Sequence, residues 1–244
     1  MAIFRSGNPA LSDATFKSLP RVAGDAMTLQ GTVNKTGLAL LVVVAAAAIT
    51  WNTGNPLLTW GGVIGGLVLG LVTAFKKEWA PYTTLPYAFL EGLFLGGVSR
   101  IYEQKFQGIV PLAVGITLGV LAALLAAYSS RLIRVSENFR LGVVAATGGI
   151  AIFYVVSMVL GFFGIRIPYI HESGPIGIIF SLVVVAIASM NLVLDFDFIE
   201  RGSAVGAPKY MEWYGAFGLL VTLVWLYLEI LRLLSKIMGK GSRS

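Results

Sequence analysis

The chain has 244 residues, of which 57% are hydrophobic and 12% are charged, and its net charge at pH 7 is +6. Soluble domains carry about 25% charged residues, so this composition predicts a membrane protein. The lack of cysteine excludes disulfides and thiol nucleophiles, and a single histidine, His171, excludes His-pair ligation of a metal or haem. Loop lysines and arginines that set membrane topology account for the positive charge, so we expect no nucleic-acid partner.

The elements in chain order predict one membrane domain with short tails. Residues 1–34 are mostly polar and hold no apolar core of the signal-peptide kind, so they are interpreted as a cytoplasmic N-terminal tail. Residues 35–238 are predicted to form a seven-helix transmembrane domain, and residues 239–244 a basic C-terminal tail. The seven apolar stretches, each near the roughly 20 residues that cross a bilayer, are Thr36–Thr50, Leu57–Phe75, Thr83–Tyr102, Ile109–Ser129, Leu141–Gly164, Gly174–Ile199 and Tyr210–Ile237.

These stretches must be helical, because a backbone in lipid has to satisfy its own hydrogen bonds. The predicted fold is an all-α integral membrane protein, a seven-transmembrane-helix bundle with the last helix central. Glycines at four-residue spacing predict close helix contacts in several stretches; they are Gly61 and Gly65, Gly62, Gly66 and Gly70, Gly92 and Gly96, and Gly115 and Gly119.

Lysine and arginine predict the orientation. Eleven fall in the inside segments and seven in the outside segments when the N-terminus is placed inside, which favours that arrangement. The basic C-terminus opposes it. If the last stretch re-enters instead of spanning, both ends lie inside.

Charged residues within apolar stretches are candidate functional residues, because acids are costly in hydrocarbon. They are Glu91, Asp195, Asp197, Glu229 and Arg232. Asn191 and Asp195 are four residues apart and share a helix face, whereas Asp197 lies about 200° round from Asp195. We therefore assign Asp195 to the interior and Asp197 to headgroups or a loop.

Each acid also has a structural interpretation. Glu229 is three residues from Arg232, so a local salt bridge of small value would explain it. Asp195 would be an interfacial acid near a helix end, and Glu91 would either line the same cavity or bond to a neighbouring helix. If Asp195 and Glu229 instead face each other, they retain one proton and titrate as a unit. Without that proton their oxygens suit transient binding of Ca²⁺.

An enzyme is not expected. His171 lies in a predicted outer loop, which disfavours a Ser–His hydrolase, and no Gly-x-Gly-Asp motif accompanies the acids as an intramembrane aspartyl protease requires. Glu229 occupies the region where a retinal pump needs a lysine. We expect no cofactor, with Ca²⁺ as a transported ion.

At these residues the sequence resembles the Bax inhibitor-1 superfamily of seven-helix membrane proteins, in particular a bacterial branch. The run Leu194–Ile199 takes the place of the family's Tyr-Asp-Thr-Gln-x-Ile pattern, with Asp195 at the acid. The run Leu226–Leu231 takes the place of Leu-Tyr-Leu-Asp-Phe-Ile, with Glu229 at the acid. Here Glu replaces Asp in the last helix, and Phe196-Asp197 replaces Thr-Gln. The opening Ser6–Ser12 and the run Pro208–Gly215 also resemble the bacterial branch.

The resemblance implies a pH-sensitive Ca²⁺ leak of the bacterial inner membrane, gated by Asp195 and Glu229. Glu91, Asn191, Asp197, Glu212 and Arg232 are possible lining or partner residues. The alternative is a non-transporting membrane regulator that binds other membrane proteins, in protein quality control or stress response. Because Asp195 and Glu229 are 34 residues apart, equal depth requires the sixth helix to continue past Arg201, or the last to start later or break near Gly215 or Gly218. Glu212 is then a rival partner for Asp195 or Asp197.

Overall fold

The computed structural model describes residues 26–164 and 174–241, and within these ranges the chain forms seven long α-helices joined by short turns. Each predicted apolar stretch lies in a different helix. The predictions for residues 1–25, for the loop that contains His171 and for residues 242–244 lie outside the described residues. The helices are α1 (Leu29–Thr53), α2 (Pro56–Phe75), α3 (Ala80–Lys105), α4 (Ile109–Ser129), α5 (Glu137–Phe162), α6 (Pro175–Ala204) and α7 (Met211–Gly241), with a 3₁₀ turn at Lys77–Trp79 before α3.

Polar caps set several helix ends. The Thr28 side chain accepts a hydrogen bond from the Gly31 N–H at 3.0 Å, so α1 begins at Leu29, inside the predicted tail. The Asn55 side chain accepts one from the Leu57 N–H at 2.9 Å and starts α2. Between them Gly54 ends α1 with φ +61°, a conformation that glycine adopts without steric cost. A two-residue turn between α1 and α2 follows from these residues.

Six of the seven helices are long and apolar enough to cross a membrane. The exception among the described helices is α3, which carries Pro81, Thr83, Thr84 and Glu91 in its first half. At 26 residues it is still about 39 Å long, more than the hydrocarbon core of about 30 Å. The chain is therefore a multi-pass helical membrane protein, and the count of seven spans stays a prediction.

The last helix is the most buried of the six candidate spans. Of its apolar window 72% is buried, against 11–39% in the other five. The fully buried side chains of Tyr214, Leu220, Leu226 and Leu231 all belong to α7, and α1, α3, α4 and α6 pack against it. This burial favours the predicted central position of the last helix.

The turn between α6 and α7 holds the N-terminal end of α1 beside the start of α7. The Met27 N–H donates to the Ala207 carbonyl at 2.6 Å, and Ala26 forms an isolated antiparallel bridge with Pro208. The sixth helix continues past Arg201 to Ala204, and α7 runs without a break through Gly215 and Gly218. The sequence left two ways for Asp195 and Glu229 to reach equal depth: a longer sixth helix, or a last helix that starts later or breaks. The structure shows the first of these only in part.

Candidate functional site

Five charged side chains are buried among the described residues. Arg140 on α5 is 5% exposed and Asp195 on α6 is 0% exposed, and on α7 Glu212, Glu229 and Lys236 are 0%, 2% and 5% exposed. In an apolar bundle each such group needs hydrogen bonds or a counter-ion. Their partners therefore define what the site can do.

Glu229 is held by its own helix and by α5. Arg232 Nη1 donates to both carboxylate oxygens of Glu229, at 2.8 and 3.1 Å, and the Tyr154 hydroxyl of α5 donates to Oε1 at 2.9 Å. Arg232 Nη1 also contacts the Tyr154 hydroxyl at 2.5 Å, and its guanidinium lies 5.0 Å from the centre of the Tyr154 ring. The local salt bridge that the spacing suggested is present, with Tyr154 joining α7 to α5.

Asp195 lies deeper along α6 with Asn191 one turn before it. Asn191 Nδ2 donates to Thr147 Oγ1 of α5 at 2.8 Å and to the Ile187 carbonyl at 2.9 Å. Both side chains are buried, as expected for residues that share the inner face of α6. The assignment of Asp195 to the interior agrees with its burial.

Asp195 and Glu229 lie at different depths. Asp195 is nine residues before the end of α6, and Glu229 is eighteen residues after the start of α7, so the two differ by roughly 13 Å along the helix axes. The hydrogen bonds of Glu229 to described residues go to Tyr154 and Arg232. Direct pairing of the two acids stays a prediction.

Asp197 joins an ionic cluster at the end of the bundle where α6 terminates. Its carboxylate lies 2.9 Å from Arg140 Nη2 of α5 and 2.6 Å from Arg201 Nη2, and it is 15% exposed. One turn on, Glu200 accepts a hydrogen bond from Tyr128 and pairs with Arg131 at 2.5 Å. Asp197 therefore points away from the site of Asp195, as the angular offset predicted, and pairs with two arginines near helix ends.

Glu212 anchors the start of α7 to α1. It accepts hydrogen bonds from the Thr28 N–H at 2.9 Å and the Thr28 hydroxyl at 2.7 Å, and it forms ion pairs with Lys35 and with Lys209, the latter at 2.9 Å. Gly31 packs directly against the carboxylate. The bonds of this predicted rival partner to described residues thus go to α1 and Lys209, and not to Asp195 or Asp197.

Glu91 occupies a separate place between α3 and α2. It is half-buried, it hydrogen-bonds the Tyr87 side chain one turn earlier, and it lies beside Gly66 of α2. Glu91 thus bonds within its own helix and packs against α2, and both alternatives for this acid, lining the cavity or bonding to a neighbouring helix, stay predictions.

Several polar partners were not found from the sequence. Tyr154 of α5 is 75 residues from its partner Glu229, and Thr147 of α5 is 44 residues from its partner Asn191. The hydrogen bond between Ser99 and Tyr227, at 2.7 Å, joins residues 128 apart. Lys236 was not among the residues that the sequence singled out, yet its buried ammonium donates to the Gly177 carbonyl at 3.0 Å and to Ser181 Oγ at 2.8 Å. The sequence signal for these polar contacts was limited to a hydroxyl or a cation inside an apolar stretch.

A resident metal site does not emerge from the described residues, which contain no group of three or more His, Cys, Asp or Glu side chains suited to one ion. Hard cations such as Ca²⁺ take six to eight oxygen ligands. Transient binding at Asp195 or Glu229 would therefore draw on water and backbone carbonyls, and it stays a prediction.

Comparison with known proteins gives one result. A family model described as Bax inhibitor 1 like matches residues 8–239, nearly the whole chain. Neither the curated proteins nor the solved structures contain a match.

Proposed function

The chain belongs to the Bax inhibitor 1 like family, and from that premise we propose that it is a proton-controlled cation leak, with Ca²⁺ as the ion and the bacterial inner membrane as its location. The residue resemblance that led to this family is confirmed by the match over residues 8–239. Transport, ion and membrane are our proposal.

The observation that carries the proposal is the burial of Asp195. A carboxylate that is 0% exposed within an apolar helix costs free energy that packing alone does not require. Its neighbour Asn191 keeps one carbonyl oxygen, Oδ1, without a hydrogen bond to the described residues. Oxygens of these two kinds are the ligands that a hard cation prefers.

Glu229 supplies the second half of the proposed gate. Arg232 neutralises the Glu229 carboxylate, and Tyr154 holds that carboxylate against α5. We take this arrangement as the closed form of the gate. Lys236 lies one turn beyond Arg232 and adds a second positive charge near the carboxylate. Protonation of Glu229 removes the negative charge from its ion pair with Arg232 and weakens the bonds that the carboxylate accepts, so α7 and α5 become freer to separate. Asp195 and Glu229 then act on one pathway at two depths.

The first prediction is a loss of pH control. In liposomes that contain purified protein and a Ca²⁺ indicator, wild-type flux should change with pH. Asp195→Asn and Glu229→Gln should each give flux that is constant with pH, because the proposed gate responds to protons only when both carboxylates are present. The measurement is the initial Ca²⁺ flux at several pH values, with monodispersity and helical content measured for every variant.

Glu137→Gln is the matched control, since Glu137 is an exposed acid in the first turn of α5. The Ca²⁺ flux through this variant should depend on pH as it does in the wild type. Two folded variants, Asp195→Asn and Glu229→Gln, that keep wild-type pH dependence would contradict the gate.

A second candidate function is favoured by one observation. The carboxylates of Glu229, Asp197 and Glu212 are each paired with at least one lysine or arginine, which leaves them less able to bind a passing cation. This suits a non-transporting regulator that binds other membrane proteins. Protein that moves no Ca²⁺ at any pH but co-purifies with a membrane protein would favour it.

A further inference from the structure

A cavity of about 450 Å³ opens beside the C-terminal turns of α3 and α7. Three of its lining residues are cations: Lys105, which ends α3, and Arg232 and Lys236 on α7. Hydroxyls of Tyr102 and Ser235 complete its polar lining. We call the cavity that these five residues line the basic cavity. Its volume lies within the range of small-molecule sites.

One cation of the basic cavity, Lys105, has no acid partner among the described residues. Arg232 pairs with Glu229, and the bonds of Lys236 include those to the Gly177 carbonyl and the Ser181 hydroxyl. The other nearby acid, Glu103, accepts hydrogen bonds from the Gly108 and Val110 N–H groups at 2.6 and 2.9 Å. Lys105 forms no ion pair with any residue that the structure describes. Lys105 therefore gives the cavity a positive charge that no described acid neutralises and that an anion can.

The depth of the basic cavity matches lipid headgroups. Arg232 and Lys236 lie about 32 and 38 Å along α7 from Met211, and the hydrocarbon core is about 30 Å thick. Lys105 is the last residue of a helix about 39 Å long. All three cations thus lie at the end of the bundle, where phosphates of the bilayer are found.

An apolar surface continues from the cavity toward the membrane centre. Val221, Trp225 and Leu228 are partly exposed and lie within about 80° of Arg232 and Ser235 on the surface of α7. The α7 residues between Val221 and Arg232 that are not on this face are buried. A phosphate group placed among the cations would therefore leave its acyl chain along this half-exposed stripe of α7.

We propose that the basic cavity binds the phosphate of an anionic phospholipid, whose acyl chain packs on Val221, Trp225 and Leu228. Basic pockets between transmembrane helices recognise anionic headgroups in this way. The stripe beneath the cations favours a lipid over free phosphate, which has no apolar part. The proposal concerns lipid binding and stands independently of cation flux.

The test uses Trp225 as the reporter. Detergent-solubilised full-length protein is titrated with phosphatidylglycerol or phosphatidylcholine that carries brominated acyl chains, and the fluorescence quenching of Trp225→Phe is subtracted from that of the wild type. Phosphatidylglycerol should quench Trp225 at lower concentration than phosphatidylcholine. Lys105→Gln should reduce this preference about fivefold, since one basic residue near an anionic lipid contributes about 1 kcal/mol.

Lys105→Arg should retain the preference, and Arg134→Gln is the matched control, because Arg134 is an exposed cation at the opposite end of the bundle. Equal quenching by the two lipids, or a preference that Lys105→Gln leaves unchanged, would overturn the site. Inorganic phosphate, titrated by calorimetry at constant ionic strength, distinguishes the source of the anion. Lys105-dependent binding of phosphate without a preference for phosphatidylglycerol would overturn the lipid assignment.

Discussion

Two carboxylates of this protein, those of Glu212 and Asp197, pair with cations that lie on other helices. Glu212 joins α7 to Lys35 of α1, and Asp197 joins α6 to Arg140 of α5. Removing one member of a buried ion pair leaves an uncompensated charge, at a cost of about 3–5 kcal/mol. These residues should therefore contribute to stability whether or not ions move.

Glu212→Gln tests this at a single residue. The variant removes the charge opposite Lys35 and weakens the Thr28 hydrogen bonds that hold the start of α1. We expect a loss of about 3 kcal/mol in the free energy of unfolding, seen as a clear fall in the thermal midpoint of the detergent-solubilised protein. Glu137→Gln, at an exposed position, should leave the midpoint unchanged. A midpoint for Glu212→Gln equal to that of the wild type would show that this ion pair is energetically neutral.

The sequence predicted some of these contacts and missed others for a physical reason. The Glu229–Arg232 pair is local, three residues apart on one helix, so its spacing was sufficient. Tyr154 could not be assigned to Glu229, because the contact depends on how α5 packs against α7. Glu212 was noticed only as a possible partner of other acids, since the path of the N-terminal segment to its carboxylate was not visible in the sequence.

Close contacts between helices are made by some of the spaced glycines and not by others. A Cβ at Gly96 would overlap the Ala47 carbonyl and Thr50 of α1, and a Cβ at Gly92 would overlap the Val43 carbonyl. Gly115 and Gly119 have nothing within 4 Å of the same position. The four-residue spacing therefore identified the α1–α3 contact correctly and was wrong for α4, because spacing cannot tell a face that packs on protein from one that faces lipid.

Gly96→Ala and Gly119→Ala should have opposite effects on stability. At Gly119 a methyl group enters open space, and alanine favours a helix over glycine by up to about 1 kcal/mol, so the variant should be neutral or slightly stabilised. At Gly96 the methyl forces α1 and α3 apart, which should cost about 1–3 kcal/mol. Thermal midpoints in the same detergent measure both. Equal midpoints for the two variants would contradict the close approach of α1 and α3.

At the scale of the whole molecule, helix lengths agree with a bundle that crosses the membrane repeatedly. The last helix, 31 residues without a break, is about 46 Å long and exceeds the hydrocarbon core by about 16 Å. Hydropathy predicted all seven helices, since each forms one apolar stretch. Hydropathy is a weaker argument that α3 crosses the membrane, because prolines and threonines lower the hydropathy of this helix.

The length of α7 predicts that the two ends of the chain lie on opposite sides of the membrane, with the N-terminus inside. The chain has no cysteine, so the wild type is a blank for thiol labelling. Gln107→Cys is exposed in the turn between α3 and α4, and Ser130→Cys is exposed after α4, at the other end of the bundle. A membrane-impermeant maleimide applied to intact cells should label Gln107→Cys and leave Ser130→Cys unlabelled until the cells are opened.

Gly239→Cys then decides how the last helix lies. If α7 spans, residue 239 is on the same side as residue 107 and is labelled in intact cells. Labelling only after the cells are opened would mean that the last helix re-enters, as the basic C-terminus suggested in the sequence. In that case Lys236 would lie on the opposite side of the membrane from Lys105, and the two could not line one cavity as they do in the structure. An unbroken 31-residue helix leaves no turn at which the chain could return, and we therefore expect Gly239→Cys to label from outside.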